Sequence, residues 1–154
     1  MANTFTQLHI QIVFAVRGRQ NLIQSKHNNI IQKYITGIVQ NKGHKLIAIN
    51  NMPDHVHIFI GYSPTETLSG LIRDIKSNSS NFINEQKWFL GNFSWQKGYG
   101  AFSYSHSHVD AVCKYIATQQ DHHKKKTFKE EYIELLQKFD VDYKPQYLFD
   151  WIED

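Results

Sequence analysis

At 154 residues, with 41% hydrophobic and 14% aromatic content, the chain is long enough to bury the core of one domain, and its composition excludes general disorder. A single cysteine, Cys113, excludes an internal disulfide framework and a cysteine-rich zinc centre, and no apolar run approaches the ~20 residues that span a bilayer. The net charge is only +3, yet residues 1–129 carry 15 Lys and Arg against 6 Asp and Glu, whereas 130–154 carry 2 against 8. A basic body with an acidic tail suits a polyanionic partner, and an ordinary solvated surface equally well. The N-terminus lacks the charged and apolar regions of a secretory signal, so a cytoplasmic location is expected.

In chain order, residues 5–17 alternate, with Leu8, Ile10, Ile12, Phe14 and Val16 on one side, as in a half-buried strand. Ile30, Ile31, Tyr34, Ile35 and Ile38 then recur at helical spacing over residues 25–41, and Asn41-Lys42-Gly43 ends that helix. Lys45–Asn50 and His55–Tyr62 read as two strands joined across Asn51-Met52-Pro53-Asp54. Thr65 or Thr67 can cap a second helix with an apolar stripe of Leu68, Leu71, Ile72, Ile75, Phe82 and Ile83. A short strand is expected within Tyr99–Ser105, a helix from about 106–110 to His123, and a further helical segment over Phe128–Phe139.

The order β-α-β-β-α-β predicts an α+β, ferredoxin-like fold: a four-stranded antiparallel sheet with two helices on one face. One domain, residues 1–154, is expected, with the core in 1–105 and a tyrosine-bearing helix and C-terminal segment in 106–154. The sheet's other face is left for a ligand, a partner subunit or the third helix.

Two motifs carry chemistry. In His55-Val56-His57 the imidazoles project together, and the apolar alternation of Val56, Ile58 and Ile60 expels them onto the open face. Such a pair is compatible with a metal site, although the pattern also arises by chance in strands. In Tyr115-Ile116-Ala117-Thr118-Gln119 a phenol and a carboxamide adjoin at i, i+4, beside a stripe of Val109, Val112, Cys113 and Ile116. A half-buried tyrosine next to an exposed glutamine is the plain reading. The chemical alternative is a tyrosine nucleophile beside a cation held by two imidazoles and an amide oxygen. That neutral ligand set would leave a divalent ion its full charge for a phosphate oxygen.

At these residues the chain resembles the single-tyrosine HUH transposases, the TnpA-type enzymes of small bacterial insertion sequences. The resemblance rests on Met52–Ile60, on Tyr115–His123 with the Phe128–Tyr132 continuation, on Arg17-Gly18-Arg19 and on Gly98–Ser103. It implies a homodimer that cuts and rejoins single-stranded DNA at hairpin-marked element ends. His55 and His57 would bind Mg²⁺ or Mn²⁺ with Gln119 as third ligand, and Tyr115 would form a 5′-phosphotyrosine link and free a 3′-hydroxyl. In that family the tyrosine helix can be supplied by the partner subunit. Thr118 departs from the pattern, standing where the resemblance leads one to expect Asn.

Lys124, Lys125, Lys126, His122 and His123, with Lys129, form a cluster suited to a DNA backbone, and Arg17, Arg19, Arg73, Lys76 and Lys97 are further candidates. Trp95, Tyr99, Phe102 and Tyr104 could stack on unpaired bases or belong to the core. His9 is expected near the metal pair, in a surface or supporting role. The competing functions are a non-catalytic module for single-stranded nucleic acid, a metallohydrolase using water, and a domesticated relative that processes host repeats.

Overall fold

β1 (His9–Ala15) lies in the middle of the molecule, because both of its faces are covered. It pairs antiparallel with β3 (His55–Gly61) on one side and with β4 (Gly100–Tyr104) on the other, while β2 (Lys45–Met52) closes the opposite edge. The order β2-β3-β1-β4 is that expected of a split βαβ arrangement. This computed structural model describes residues 3–152; Met1 and Ala2, and the acidic Glu153 and Asp154 of the tail, lie outside them.

The period-two alternation decides which side chains meet. Ile12 pairs with Ile58 and Phe14 with Val56, and this apolar face receives α1 (Asn28–Asn41) and α2 (Leu68–Gln86) through Ile31, Ile35, Val39, Leu71, Ile72 and Ile75. All of these are essentially inaccessible to water, so each contributes roughly 1.5–3 kcal/mol of transfer free energy. Of the two candidate caps, Thr67 is the one used: its Oγ1 accepts from the Gly70 N–H at 3.1 Å. Gly43, at φ +87°, provides the left-handed turn out of α1.

The other face carries Gln11, Val13, Ala15, His55, His57 and Phe59. It is not open, which corrects the expectation for the two imidazoles. A third layer covers it: α3 (Val109–Ala117), the single turn α4 (Gln119–His122) and α5 (Phe128–Lys138). Val112 and Ile116 pack on the fully buried Phe59, with Ile47, Val109 and the half-buried Cys113 around them. The helix expected to run unbroken to His123 ends at Thr118, whose backbone (φ −105°, ψ 24°) leaves the helical region.

Secured by a capping box between Thr127 and Glu130, α5 lays Phe128 flat on the His55 ring, with centroids 3.8 Å apart and an interplanar angle of 3°. Its Tyr132 crosses β4 at Gly100, where an added Cβ would come within 2.7 Å of the phenol oxygen. Beyond α5 the chain is tied back by Gln96, which donates to the Asp150 carbonyl and accepts from its N–H, both at 2.7 Å. Among the described residues no helix is long and apolar enough to cross a membrane.

Candidate metal and nucleophile site

His55 and His57 stand on the same face of β3 with ring centroids 5.0 Å apart, and neither is accessible to water. Each has one ring nitrogen fixed by a neighbour. Nδ1 of His55 lies 2.7 Å from a carboxylate oxygen of Asp54, the residue before it. Nδ1 of His57 lies 2.7 Å from the amide oxygen of Gln11, which reaches across from β1. Both acceptors call for a proton on Nδ1, so both Nε2 lone pairs are aimed into the space between sheet and α5.

Glu131, on α5, fills that space. Its Oε1 is 3.3 Å from His57 Nε2, 3.5 Å from His55 Nε2 and 3.4 Å from His123 Nε2. Burial alone would raise its pKa, but the three imidazoles gathered around Oε1 outweigh burial and hold the carboxyl far below the usual carboxylate range. Burial also opposes a charged His55, yet Asp54 and Glu131 together lift its pKa above the ordinary value. His57, with only one carboxylate beside it, is dominated by burial and pushed down.

His55, His57 and Glu131 offer donor atoms all within 4.8 Å of one another. Donors ~2.1 Å from one ion sit roughly 3–3.5 Å apart, which the Nε2–Oε1 separations of 3.3 and 3.5 Å match. His55 Nε2 is also a buried nitrogen without a hydrogen-bond partner. An orphaned lone pair, a second imidazole and a carboxylate suit a divalent cation.

The Tyr115 hydroxyl donates to the other carboxylate oxygen of Glu131, Oε2. Its ring meets that of His57 edge-on, with centroids 5.8 Å apart. Burial first, and the Glu131 charge second, push the phenol well above its ordinary pKa, so it is held protonated. Phenol and imidazoles therefore meet within one chain. Gln119 is fully buried: its amide nitrogen donates to Glu131 Oε2 at 3.0 Å, and its amide oxygen lies 3.1 Å from His123 Nε2.

The residues singled out from sequence do not all gather in one place. His55, His57, Tyr115, Gln119 and His123 converge. Lys125, Lys126, His122 and His123 line a recess of about 420 Å³ that opens beside Tyr115. Lys126 is paired with Glu134 at 2.5 Å, and Lys124 lies 3.9 Å from Asp121. Arg73 and Lys76 sit on α2, across the sheet from Tyr115, lining a different recess with Lys97 and Tyr99. There Lys76 is turned inward: its ammonium donates to the Gln96 carbonyl at 2.9 Å, and burial pulls its pKa down to about 8. Arg17 and Arg19 are exposed after β1 and line neither recess.

Trp95 and Phe102 belong to the core. Thr118 bonds the Lys114 carbonyl at 2.8 Å and faces His122, terminating α3. His9 pairs with Gly61 and Tyr104 at the far end of the sheet, so the supporting place expected of it is held by Gln11.

Two residues of this cluster escape sequence reading. Glu131 occupies a position in the stripe of Phe128, Tyr132, Leu135 and Leu136, and a carboxylate among core positions is the signal that marks it. Gln11 faces the histidines only once β1 is known to pair with β3.

Residues 4–119 match the family of transposases described as IS200-like. The ISDra2 transposase TnpA of Deinococcus radiodurans is 22% identical over 122 residues, covering 75% of this chain and 86% of that protein. A crystal structure of a D. radiodurans R1 protein described as a transposase superposes with a TM-score of 0.61 at 19% identity, covering 77% of this chain and 95% of the other. A REP-associated tyrosine transposase bound to a REP hairpin gives a TM-score of 0.59 at 14% identity, over 80% and 73% of the two chains. At these identities the structures show a shared fold.

Proposed function

The chain belongs to the IS200-like transposase family, and we propose on that premise that it cleaves and rejoins single-stranded DNA through a covalent link to Tyr115. One observation carries this reading: Glu131 touches the phenol with one oxygen and both strand-borne imidazoles with the other, joining nucleophile and cation-binding groups in one cluster.

His55 and His57 would hold Mg²⁺ or Mn²⁺ with Glu131, while Gln119 either adds its amide oxygen or, as its hydrogen bond suggests, steadies the carboxylate. When bound, the ion supplies Lewis-acid stabilisation of charge on phosphate oxygens. Tyr115 contributes the attacking oxygen. Its bond to phosphorus forms as the bond to the 3′-oxygen breaks, giving a 5′-phosphotyrosine and a free 3′-hydroxyl. The phenol proton leaves toward Glu131 and ends on the departing oxygen, so the step balances without a further reactant. Because the ester is conserved, the 3′-hydroxyl of another strand can reverse the reaction, which is rejoining rather than hydrolysis.

The DNA is proposed to carry hairpin-marked ends, with Lys124, Lys125, Lys126, His122 and His123 on its backbone and Arg17, Arg19, Arg73 and Lys76 as outlying contacts. Cutting two ends calls for two sites, which a cytoplasmic homodimer would supply, each composed in cis. Incubating single-stranded element ends with Mn²⁺ should yield an SDS-resistant adduct in the wild type and none in Tyr115→Phe. His55→Ala and His57→Ala should lose cleavage and keep DNA binding. Equal adduct formation by wild type and Tyr115→Phe would refute the nucleophile.

A further inference from the structure

The recess beside Tyr115 has a composition that cleavage alone does not explain. Its floor is apolar, made by Ala111 and Val112 of α3 and Leu135 of α5. One wall is the Tyr104 ring, set edge-on against Phe59 and Phe139 at 83° and 82°. The Tyr104 hydroxyl is held as well, accepting from Gln11 Nε2 at 2.9 Å. An aromatic ring fixed at both its edge and its oxygen is a preformed stacking surface. Three lysines, Lys125, Lys126 and Lys138, stand around the opening with two carboxylates, Glu131 and Glu134; Glu134 is paired with Lys126, and Lys125 and Lys138 have no carboxylate partner among the described residues. Neither His55 nor His57 lines the recess, so it extends from the phenol away from the imidazole pair.

Apolar floor, rigid aromatic wall and basic mouth match the parts of a nucleotide: a flat base, then a phosphate. The volume of about 420 Å³ falls near the lower end for small-ligand pockets, which admits one nucleotide and excludes a duplex. We infer that this recess holds the unpaired nucleotide immediately 3′ of the cleaved bond, its base against Tyr104 and Val112 and its phosphate between Tyr115 and the lysines. The assignment rests on the Tyr115 chemistry proposed above, because attack leaves that nucleotide's phosphate attached to the phenol oxygen. Seating the base would orient the phosphorus toward Tyr115 and make the nucleotide's identity a determinant of where the strand is cut.

The test uses the full chain with 2′-deoxynucleoside 5′-monophosphates, and 2-deoxyribose 5-phosphate as the control that lacks a base. Amide chemical shifts follow binding. The nucleotides should perturb Val112 and Leu135 and bind at least tenfold tighter than the sugar phosphate. Ala111→Trp, placing an indole in the recess from an exposed helical position, should erase that preference. Equal binding of nucleotide and sugar phosphate, or a preference untouched by Ala111→Trp, overturns the assignment. Adduct assays on strands with an abasic 3′-side nucleotide separate the two proposals. An adduct formed equally on abasic and intact strands overturns the recess and leaves the Tyr115 chemistry standing. Base-dependent mononucleotide binding with no adduct on any strand supports a nucleotide site in the recess but defeats the chemistry, and with it the placing of that nucleotide 3′ of a cleaved bond.

Discussion

Replacing Gln11 by Met keeps the volume of the side chain and deletes both of its hydrogen bonds, to His57 Nδ1 at 2.7 Å and to the Tyr104 hydroxyl at 2.9 Å. The half-buried phenol can turn to water, but His57 is wholly buried and its Nδ1–H is left without an acceptor. Such an orphan costs about 1–3 kcal/mol, lowering the melting temperature by roughly 2–4 °C per kcal/mol in a chain of this size. The imidazole also loses the contact that fixes its tautomer, and outer contacts of this kind are worth about 10–100-fold in metal affinity. Gln11→Met should therefore bind Mn²⁺ about 10–100-fold more weakly, read from the signal of free Mn²⁺ in electron paramagnetic resonance. Gln11→Glu restores the acceptor and should recover affinity to at least the wild-type level. A Gln11→Met protein that melts lower but binds Mn²⁺ like the wild type would reduce Gln11 to packing and refute the reasoning.

Glu131→Gln should weaken Mn²⁺ binding more than Gln119→Met does, by calorimetry; the reverse order would return the third ligand position to Gln119. Without metal, the Glu131 carboxyl is held far below its ordinary value, so its contribution to stability is complete above the unfolded pKa of about 4.5 and drains away as pH falls below it. Melting temperatures should accordingly drop more steeply between about pH 5 and 3 in the wild type than in Glu131→Gln, and parallel curves would contradict the pairing. Thr127→Ala removes the cap of α5 and should cost about 1 kcal/mol in thermal melts, with a matching loss of Mn²⁺ affinity because α5 carries Glu131. Phe59→Ala should cost roughly 3–5 kcal/mol and loosen α3, seen as faster amide exchange at Val112 and Ile116; protection unchanged there would show that α3 is anchored elsewhere.

The strands and the first two helices were legible because each satisfies a local rule. The alternation around Val56, Ile58 and Ile60 places the histidines on one face, and Thr67 marks the start of α2. The third layer was not, since nothing in the period of β3 says whether a face with two imidazoles is wet or covered. Phe59 lies on that same face and is the clue that something apolar must meet it. His57 meets Glu131 across 74 residues, and a contact of that kind exists only after α5 has docked. The break at Thr118 escaped notice because threonine is tolerated within a helix, and its departure here follows from bonding back to Lys114.

The match to the family model ends at Gln119, whereas the carboxylate facing the paired imidazoles stands twelve positions later, on α5. Scaffold and closure are thus separate pieces of polypeptide, the histidines on β3 and the carboxylate on α5. A molecule divided in this way can change the charge and hardness of its cation pocket by exchanging one short amphipathic segment, while the strands bearing the histidines stay as they are.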